Sequence, residues 1–196
     1  RRRQRQMCIR DSFGTKVFSI EFLLDSRETP VIWRGPLKMR ALQQFLADVE
    51  WGDLDCFIVD LPPGTGDEPL SIMQLIPSIS GVVIVTVPSE VSQIVVKKAI
   101  TFVRTVNAPL IGVIENMSGF VCPNCGSEFN ILGAGGGRKI SEEMGVRFLG
   151  RIPIDPNVCE DSDRGVPFIV GHPDSPAAKA FYQIVEKIEE LLDKER

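Results

Sequence analysis

The sequence predicts an α/β fold in which a mostly parallel sheet carries helices on both faces. Short apolar runs alternate with amphipathic stretches along the chain, an order that is typical of strand–helix–strand units. Three of the runs are nearly unbroken in apolar residues, as expected for strands that are buried on both sides of a parallel sheet. The 196 residues suffice for one domain with a full hydrophobic core.

The predicted strands and helices follow one another in regular order. The strands are predicted at residues 16–24, 54–62, 81–88, 109–117 and 146–153. The helices are predicted at residues 36–49, 68–77, 91–106, 138–145 and 176–194. Their apolar residues recur at helical spacing, so one face of each is predicted to pack on the sheet through right-handed crossovers. Ligands of such sheets bind at the carboxyl ends of the strands, where candidate functional residues are therefore sought.

Composition and charge favour a cytoplasmic protein that binds neither nucleic acid nor a membrane. No apolar run approaches the roughly 20 residues that a membrane span needs, and no segment resembles a signal peptide. Residues 1–10 contain five arginines and no acid, so the net charge of −4 leaves −9 for residues 11–196. An acidic remainder disfavours phosphate binding along a nucleic acid. The arginine-rich start lacks apolar periodicity, so residues 1–12 are predicted to be a non-native or disordered arm and residues 13–196 the domain.

The predicted strand at 54–62 has Asp60 near its carboxyl end, and the loop PPGTGD begins at residue 62. A carboxylate at the end of a buried strand suits the water shell of a magnesium ion. Gly64 lets the backbone approach a phosphate closely, and Thr65 and Asp67 offer oxygen atoms near a reacting water. We therefore predict Asp60 and Asp67 as catalytic residues, and Gly64 and Thr65 as nucleotide-binding residues. The alternative is an ordinary strand-to-helix turn in which Asp67 caps the next helix.

Two later strand ends carry candidates for binding the base of a nucleotide. Asn116 ends the apolar run at 109–117, and its amide both donates and accepts hydrogen bonds. Pro153 lies in the segment RIPIDP, a prolyl loop that can pack on a base. The alternative for Asn116 is the role of a simple turn residue.

A phosphate loop of the form G-x-x-x-x-G-K-[ST] is missing from the sequence. The segment LGAGGGRK at 132–139 is rich in glycine, but Ile140 stands where a magnesium-binding hydroxyl would be needed. Residues 133–137 are therefore predicted to be a flexible connection into a helix.

The cysteine loop at 118–130 contains the strongest chemical signal, the segment CPNCG with Cys122 and Cys125. Two thiolates at this spacing bend around one metal, and the following glycine lets backbone amides turn towards sulfur. Zinc and iron–sulfur sites use four ligands, so a second copy of the chain across a two-fold axis would complete the site. Cys56 is expected inside a strand, and Cys159 and His172 in loops. The alternative is a pair of free or transiently oxidised thiols.

Together these segments resemble the Mrp/ApbC family of iron–sulfur cluster carrier ATPases, deviant P-loop NTPases related to MinD and ParA. The resemblance rests on VIWRGPL at 31–37, DLPPGTGDEPLSIMQ at 60–74, ENMSGFVCPNCG at 115–126, IPID at 152–155 and PDSPAAKAF at 173–181.

The resemblance implies a role for each matching position. Cys122 and Cys125 would bind a 4Fe-4S cluster that bridges the two protomers of a homodimer. Asp60 would end the magnesium-side strand, the loop at 62–67 would sense the γ-phosphate of ATP, and Asn116 would read adenine. The family couples ATP binding and hydrolysis to delivery of the cluster to apo iron–sulfur proteins.

The chain departs from the family pattern at its beginning. The family starts with a strand, a phosphate loop of the form G-K-G-G-V-G-K-S, a helix and a second strand, where this chain has its arginine-rich residues. The resemblance therefore implies an N-terminally truncated MinD-like P-loop NTPase fold that lacks the first strand, the phosphate loop and the first helix. We expect this chain by itself not to hydrolyse ATP. A zinc-stapled structural dimer and a MinD- or ParA-like positioning ATPase remain as alternatives, because thiolates accept zinc as well as iron.

Overall fold

The chain contains both strands and helices and divides into two units, Arg1–Pro77 and Ser78–Arg196. The structure is a computed structural model that describes residues 10–26, 28–30, 35–122 and 124–194. The helices are α1 (Gly35–Ala47), α2 (Asp67–Leu75), α3 (Glu90–Thr105), α4 (Gly136–Met144), α5 (Pro156–Arg164), α6 (Phe168–Gly171) and α7 (Pro176–Lys194). The strands are β1 (Arg10–Ser12), β2 (Thr15–Val17), β3 (Val82–Thr86), β4 (Leu110–Glu115), β5 (Phe120–Val121), β6 (Glu128–Phe129) and β7 (Phe148–Arg151). Within these described ranges, no helix is both long enough and apolar enough to cross a membrane.

The unit Ser78–Arg196 is built on a parallel sheet with the strand order β3-β4-β7. The connecting helices α3 and α4 contact each other as well as the sheet, while α7 packs against β7. Two right-handed crossovers that run in the same direction place their helices on the same face, which leaves the other face for α7. β4 lies at the centre, and β3 is an outer strand that pairs with β4 alone among the described residues. The predicted strands at 81–88, 109–117 and 146–153 are confirmed.

Two hydrophobic clusters cover the sheet, and β4 contributes to both. One cluster joins the sheet to α3 and α4 and contains Ile84, Val96, Ile100, Val103, Val113 and Ile140. The other joins it to α6 and α7 and contains Ile111, Ile114, Leu149, Ile152, Phe168, Ala177, Ala178 and Ile184. Because β4 is buried on both faces, its apolar run has the sequence expected of a central parallel strand.

The unit Arg1–Pro77 combines a small hairpin with two helices. β1 pairs antiparallel with β2, so residues 10–12 of the predicted arm form a strand, whereas residues 1–9 lie outside the described residues. The Phe18 ring packs edge-on against Phe45, with 4.6 Å between the ring centroids. An ion pair between Lys38 and Glu68 links α1 to α2.

Of the strand predictions in this unit, the one at 16–24 is wrong beyond Val17 and the one at 54–62 is wrong throughout. In the segment 16–24, β2 ends at Val17 and a 3₁₀ helix occupies Ile20–Leu23, because the Ser19 hydroxyl accepts the Glu21 N–H and starts a helical turn. The segment 54–62 forms no strand, and its Ile58 is 84% exposed. An apolar composition favours burial, but a strand also needs a neighbour for its backbone hydrogen bonds, and no described strand pairs with this segment.

Candidate metal-binding and nucleotide-binding site

The cysteine pair lies on a small hairpin in which β5 pairs antiparallel with β6. At its closed end the Cys122 N–H donates to the Ser127 carbonyl oxygen at 2.9 Å, and the Gly126 N–H donates to the Cys122 carbonyl oxygen at 2.8 Å. Gly126 has a φ of 71°, a conformation that favours glycine. The Cys-x-x-Cys segment therefore forms a turn that holds both cysteines at one end of the hairpin.

Both cysteine thiols are free, with Cys125 exposed and Cys122 half-buried. The Cys125 Sγ shares a hydrogen bond with the Ser127 Oγ over 3.3 Å. This hydroxyl, then the Ser127 backbone N–H and the Cys122 thiol, lower the pKa of the Cys125 thiol. A lower pKa favours the thiolate, which is the form that binds metals.

The hairpin supplies two candidate ligands, and the described residues do not bring a third to it. No group of three or more histidine, cysteine or acidic side chains that could hold a metal is found in the described part of the chain. Cys159 was expected in a loop but is exposed on α5, and His172 follows α6. The His172 Nδ1 lies 2.7 Å from the Asp161 Oδ2, so the imidazole already has a partner. Cys56 is exposed in the segment that was wrongly predicted as a strand.

The open end of the hairpin is held by contacts with β7 and the residues that follow it. The Ser118 N–H donates to the Ile152 carbonyl oxygen at 2.9 Å. Arg151 at the end of β7 makes an ion pair with Glu128 of β6, with 2.9 Å between nitrogen and oxygen. These contacts attach the hairpin to the carboxyl edge of the sheet.

Glu115, the last residue of β4, is a fully buried acidic residue that the sequence reasoning missed. Its Oε1 accepts hydrogen bonds from the Gly135 N–H at 2.8 Å and from the Ser118 hydroxyl. Its Oε2 accepts from the Gly137 N–H. A buried carboxylate requires such donors. The sequence did contain a signal, since an acidic residue closes the otherwise apolar run LIGVIE.

In the glycine-rich segment at 133–137, residues 133–135 are exposed and precede α4, whereas Gly136 and Gly137 belong to the helix. The connection is therefore shorter than predicted, and its flexibility stays a prediction. Gly136 and Gly137 are buried in the first turn of α4. A Cβ on Gly136 would lie 2.4 Å from the Pro88 carbonyl oxygen, and one on Gly137 would lie 2.9 Å from the Glu115 Cβ. These glycines let α4 begin directly against the carboxyl ends of β3 and β4.

Asn116 and Pro153 follow the neighbouring strands β4 and β7, so the fold brings these two predicted base-binding residues to the same edge of the sheet. The Asn116 N–H donates to the Thr86 carbonyl oxygen at 2.7 Å. The Asn116 Oδ1 accepts from the Met117 N–H at 2.9 Å, and Met117 has a φ of 55°. This hydrogen bond supports a turn, so the alternative role of Asn116 as a turn residue stays open alongside base binding.

The other predicted site residues belong to the unit Arg1–Pro77. Asp60, Gly64, Thr65 and Asp67 are all exposed. Gly64 has a φ of 108°, so this position requires glycine. Gly66 is the N-cap of α2 and Asp67 its first residue, without a capping hydrogen bond from a side chain. The alternative in which Asp67 caps the helix is therefore not what forms, and the predicted catalytic roles of Asp60 and Asp67 stay predictions.

Comparison with known families gives one match over almost the whole chain. The model described as NUBPL iron-transfer P-loop NTPase, of the ParA group, matches residues 2–189, which include all but the first residue of the predicted arm. An iron-sulfur cluster carrier protein of Saccharolobus solfataricus is 56% identical over 181 residues, which are 92% of this chain and 61% of that protein. Another of the same name, from Methanocaldococcus jannaschii, is 52% identical over 92% of this chain and 61% of its own length. The chain thus spans about three fifths of these relatives.

Solved structures give the same fold. A nucleotide-binding protein in complex with ADP from Archaeoglobus fulgidus has a TM-score of 0.66 and 37% identity, over 82% of this chain and 60% of that one. The cell division ATPase MinD of Pyrococcus furiosus has a TM-score of 0.57 over 80% of this chain and 59% of its own. Its 23% identity is evidence of the fold alone. The predicted MinD-like P-loop NTPase architecture is confirmed.

Proposed function

Since this chain belongs to the family of NUBPL-type iron-transfer P-loop NTPases, we propose that it carries an iron–sulfur cluster on Cys122 and Cys125. The observation that carries the proposal is a pair of free thiols at one end of a hairpin, with no third ligand in the described part of the chain. A 4Fe-4S cluster that bridges two copies takes two thiolates from each, so a homodimer would complete the site.

The hairpin suits a cluster that is cargo and has to leave again. The Ser127 hydroxyl favours the thiolate of Cys125, and the exposure of Cys125 leaves its sulfur open to an incoming protein. In the transfer step a thiolate of the recipient binds iron as the Cys125 thiolate leaves. One iron–sulfur bond forms and one breaks, so the exchange needs neither an oxidant nor a reductant.

In the full-length protein we propose that ATP and Mg²⁺ control this exchange and that apo iron–sulfur proteins of the cytoplasm receive the cluster. Support comes from the names of the relatives and from the ADP held by the Archaeoglobus protein. Asp60, Gly64, Thr65 and Asp67 would serve the phosphate side, and Asn116 and Pro153 the base. The described residues of this chain do not fit a magnesium site on their own, since no group of three acidic ligands forms. The sequence also lacks the lysine-containing phosphate loop. We therefore expect no magnesium-dependent ATP hydrolysis from this chain, and measurable phosphate release would contradict that expectation.

The test of cluster carriage is anaerobic reconstitution of the chain with ferrous iron and sulfide. We expect about two irons per chain, the share of one four-iron cluster per dimer, with broad absorption near 400 nm and a dimeric native mass. The double variant Cys122→Ser, Cys125→Ser should lose iron, colour and dimer together.

The matched control is the double variant Cys56→Ser, Cys159→Ser, which removes two exposed cysteines from other segments. It should keep the full iron content, because the proposed site does not include these two cysteines. If iron instead bound to any exposed thiol, both double variants would lose iron equally. Equal iron in the wild type and the hairpin variant would refute the proposal. A colourless dimer that contains zinc would instead identify the zinc-stapled alternative.

A further inference from the structure

We infer that Glu115 is a positioning residue that holds the cysteine hairpin against the N-terminus of α4. The inference rests on the proposed carriage of a cluster by Cys122 and Cys125, because it concerns how firmly their sulfur atoms are presented. The Glu115 carboxylate contacts no metal ligand. It joins the end of β4 and the turn that follows it into the hairpin to the glycine-rich start of α4, which begins 20 residues further along the chain.

The hairpin cannot fix its own orientation. Its strands β5 and β6 have two residues each, and an isolated hairpin of this size is not stable in water. Its direction is therefore set by contacts at its open end. At that end the backbones of Ser118 and Gly119 bond to Ile152 and Ile154. The Ser118 hydroxyl bonds to Glu115 and so ties the same segment to the end of β4. Ser118 is 1% exposed, so water does not compete for its hydrogen bond.

The other two donors to Glu115 belong to a rigid element. Gly135 is the N-cap of α4 and has no side chain to cap the helix, so the Glu115 carboxylate accepts the N–H groups of Gly135 and Gly137 instead. The helix itself is fixed by Ile140, which is fully buried in the cluster with α3. Through this one carboxylate, a well-packed helix therefore supports the entrance of the hairpin, in addition to the contacts of the hairpin with β7 and the residues that follow it.

The chemical consequence concerns retention of the cluster. A cluster that bridges two chains tolerates only a narrow range of sulfur positions, and residues that orient metal ligands change affinity by roughly 10- to 100-fold when they are replaced. Loosening the entrance of the hairpin lets its closed end move, so iron should leave faster although both cysteines are intact.

The test variant is Glu115→Gln, which keeps the size of the side chain. Its amide NH₂ group takes the place of one acceptor oxygen, so at least one of the three donors loses its acceptor and faces another donor. The matched control is Glu142→Gln, the same exchange at an exposed position of α4. Leu192→Ala serves as a second control that lowers stability in the core of the same unit, in the cluster with α7, which does not contain α4. Ser118→Ala is a milder variant, because it removes only one of the three donors. It takes the place of Glu115→Gln in every measurement if Glu115→Gln fails to fold.

The first measurement needs no metal and tests the positioning role alone. Amide hydrogen exchange of the apo protein should be on the order of tenfold faster at residues 118–129 and at Gly135 and Gly137 in Glu115→Gln. Amides of β3 and β4 should be unchanged, and both controls should leave exchange in the hairpin as in the wild type. Unchanged exchange in the hairpin of Glu115→Gln, or an equal rise in Leu192→Ala, would overturn the inference.

The second measurement is iron release to a colorimetric chelator from reconstituted protein, with the cluster's circular dichroism recorded beforehand. We expect release on the order of tenfold faster from Glu115→Gln, with an altered cluster spectrum and iron content initially as in the wild type. Equal release rates and spectra in Glu115→Gln and Glu142→Gln would refute the inference while cluster carriage stands. If the wild type binds no iron, cluster carriage fails, and the exchange measurement still decides whether Glu115 holds the hairpin.

Discussion

Two apolar segments of the chain end in an acidic residue, and the two residues have opposite surroundings. Glu115 closes β4, is fully buried, and accepts hydrogen bonds from one hydroxyl and two backbone amides. Asp60 lies near the end of the segment 54–62, which forms no strand, and Asp60 is exposed. The two segments have similar apolar composition. The difference lies in their neighbours, because β4 is paired on both sides by β3 and β7 whereas no described strand pairs with 54–62.

This contrast indicates what an apolar run can predict. The run shows that a segment suits burial, but backbone pairing decides whether it becomes a strand. The same pairing decides whether the acidic residue at its end meets donors or water. The predictions that follow test this contrast, and they are ordered from the largest expected effect to the smallest.

The largest expected difference in the free energy of unfolding is that between the variants Ile140→Ala and Ile58→Ala. Ile140 is fully buried, so its truncation should lower the free energy of unfolding by about 2–5 kcal/mol. Ile58 is 84% exposed, so its truncation should change that free energy by less than about 0.5 kcal/mol. Urea unfolding followed by far-UV circular dichroism measures both variants, and the fluorescence of the two tryptophans, which both belong to Arg1–Pro77, reports on that unit. A loss at Ile58 as large as that at Ile140 would mean that 54–62 is packed in solution, and the contrast would fail.

A second prediction concerns the close packing of the glycines beside Glu115. Alanine is the better helix former by about 1 kcal/mol, so propensity alone would make Gly136→Ala stabilising. Its Cβ would, however, meet the Pro88 carbonyl oxygen at 2.4 Å, a backbone atom that cannot move aside easily. We expect a net loss of about 1–3 kcal/mol in the free energy of unfolding, measured by urea titration. Glu142→Ala on the exposed side of α4 is the control and should be close to neutral. An increase in stability for Gly136→Ala would show that the segment is loose after all.

A third prediction concerns the pH at which Cys125 reacts. Ser127 lowers the pKa of the Cys125 thiol, so Ser127→Ala should raise that pKa, and the midpoint of alkylation by iodoacetamide should move to higher pH. At a fixed pH below the midpoint the thiolate fraction falls, so the variant should react more slowly. Mass spectrometry of the apo protein can follow Cys125 with Cys159 as internal reference. Ser127→Thr keeps the hydroxyl and should restore the lower midpoint; a midpoint that is the same in all three proteins would exclude this role of Ser127.

The smallest expected effect is that of the exposed ion pair between α1 and α2. Lys38 lowers the pKa of Glu68 through a hydrogen bond, yet both side chains reach solvent. Lys38→Met should therefore cost less than about 1 kcal/mol. Because the pKa of Glu68 is lowered in the folded protein, the ion pair stabilises the fold at pH values above the pKa of an unfolded glutamate. This contribution is lost as the pH falls through the pKa that Glu68 has in the folded protein. The difference between wild type and variant in urea titrations should thus be present at pH 7 and disappear in acid. A difference that grows towards acid would contradict this assignment.

Sequence reasoning was successful where the information is local. The runs at 81–88 and 109–117 and the periodic helices α3 and α7 carry their own pattern, and CPNCG carries its own turn. The same reasoning failed at 54–62, where the outcome depends on a neighbouring strand. It also missed Glu115, whose three donors come from Ser118 and from glycines that only the folded sheet brings near. Asp155 and Pro156, a capping residue followed by proline at the first helical position, were an unused signal for α5.

The outer strand β3 has a consequence for handling the protein. Its sequence VVIVT carries no charge, one of its edges is unpaired among the described residues, and Val85 is 58% exposed. An uncharged, β-branched strand with a free edge is a template on which further strands can add, which is the first step of aggregation. We therefore expect the edge of β3 to limit the solubility of this chain at high concentration.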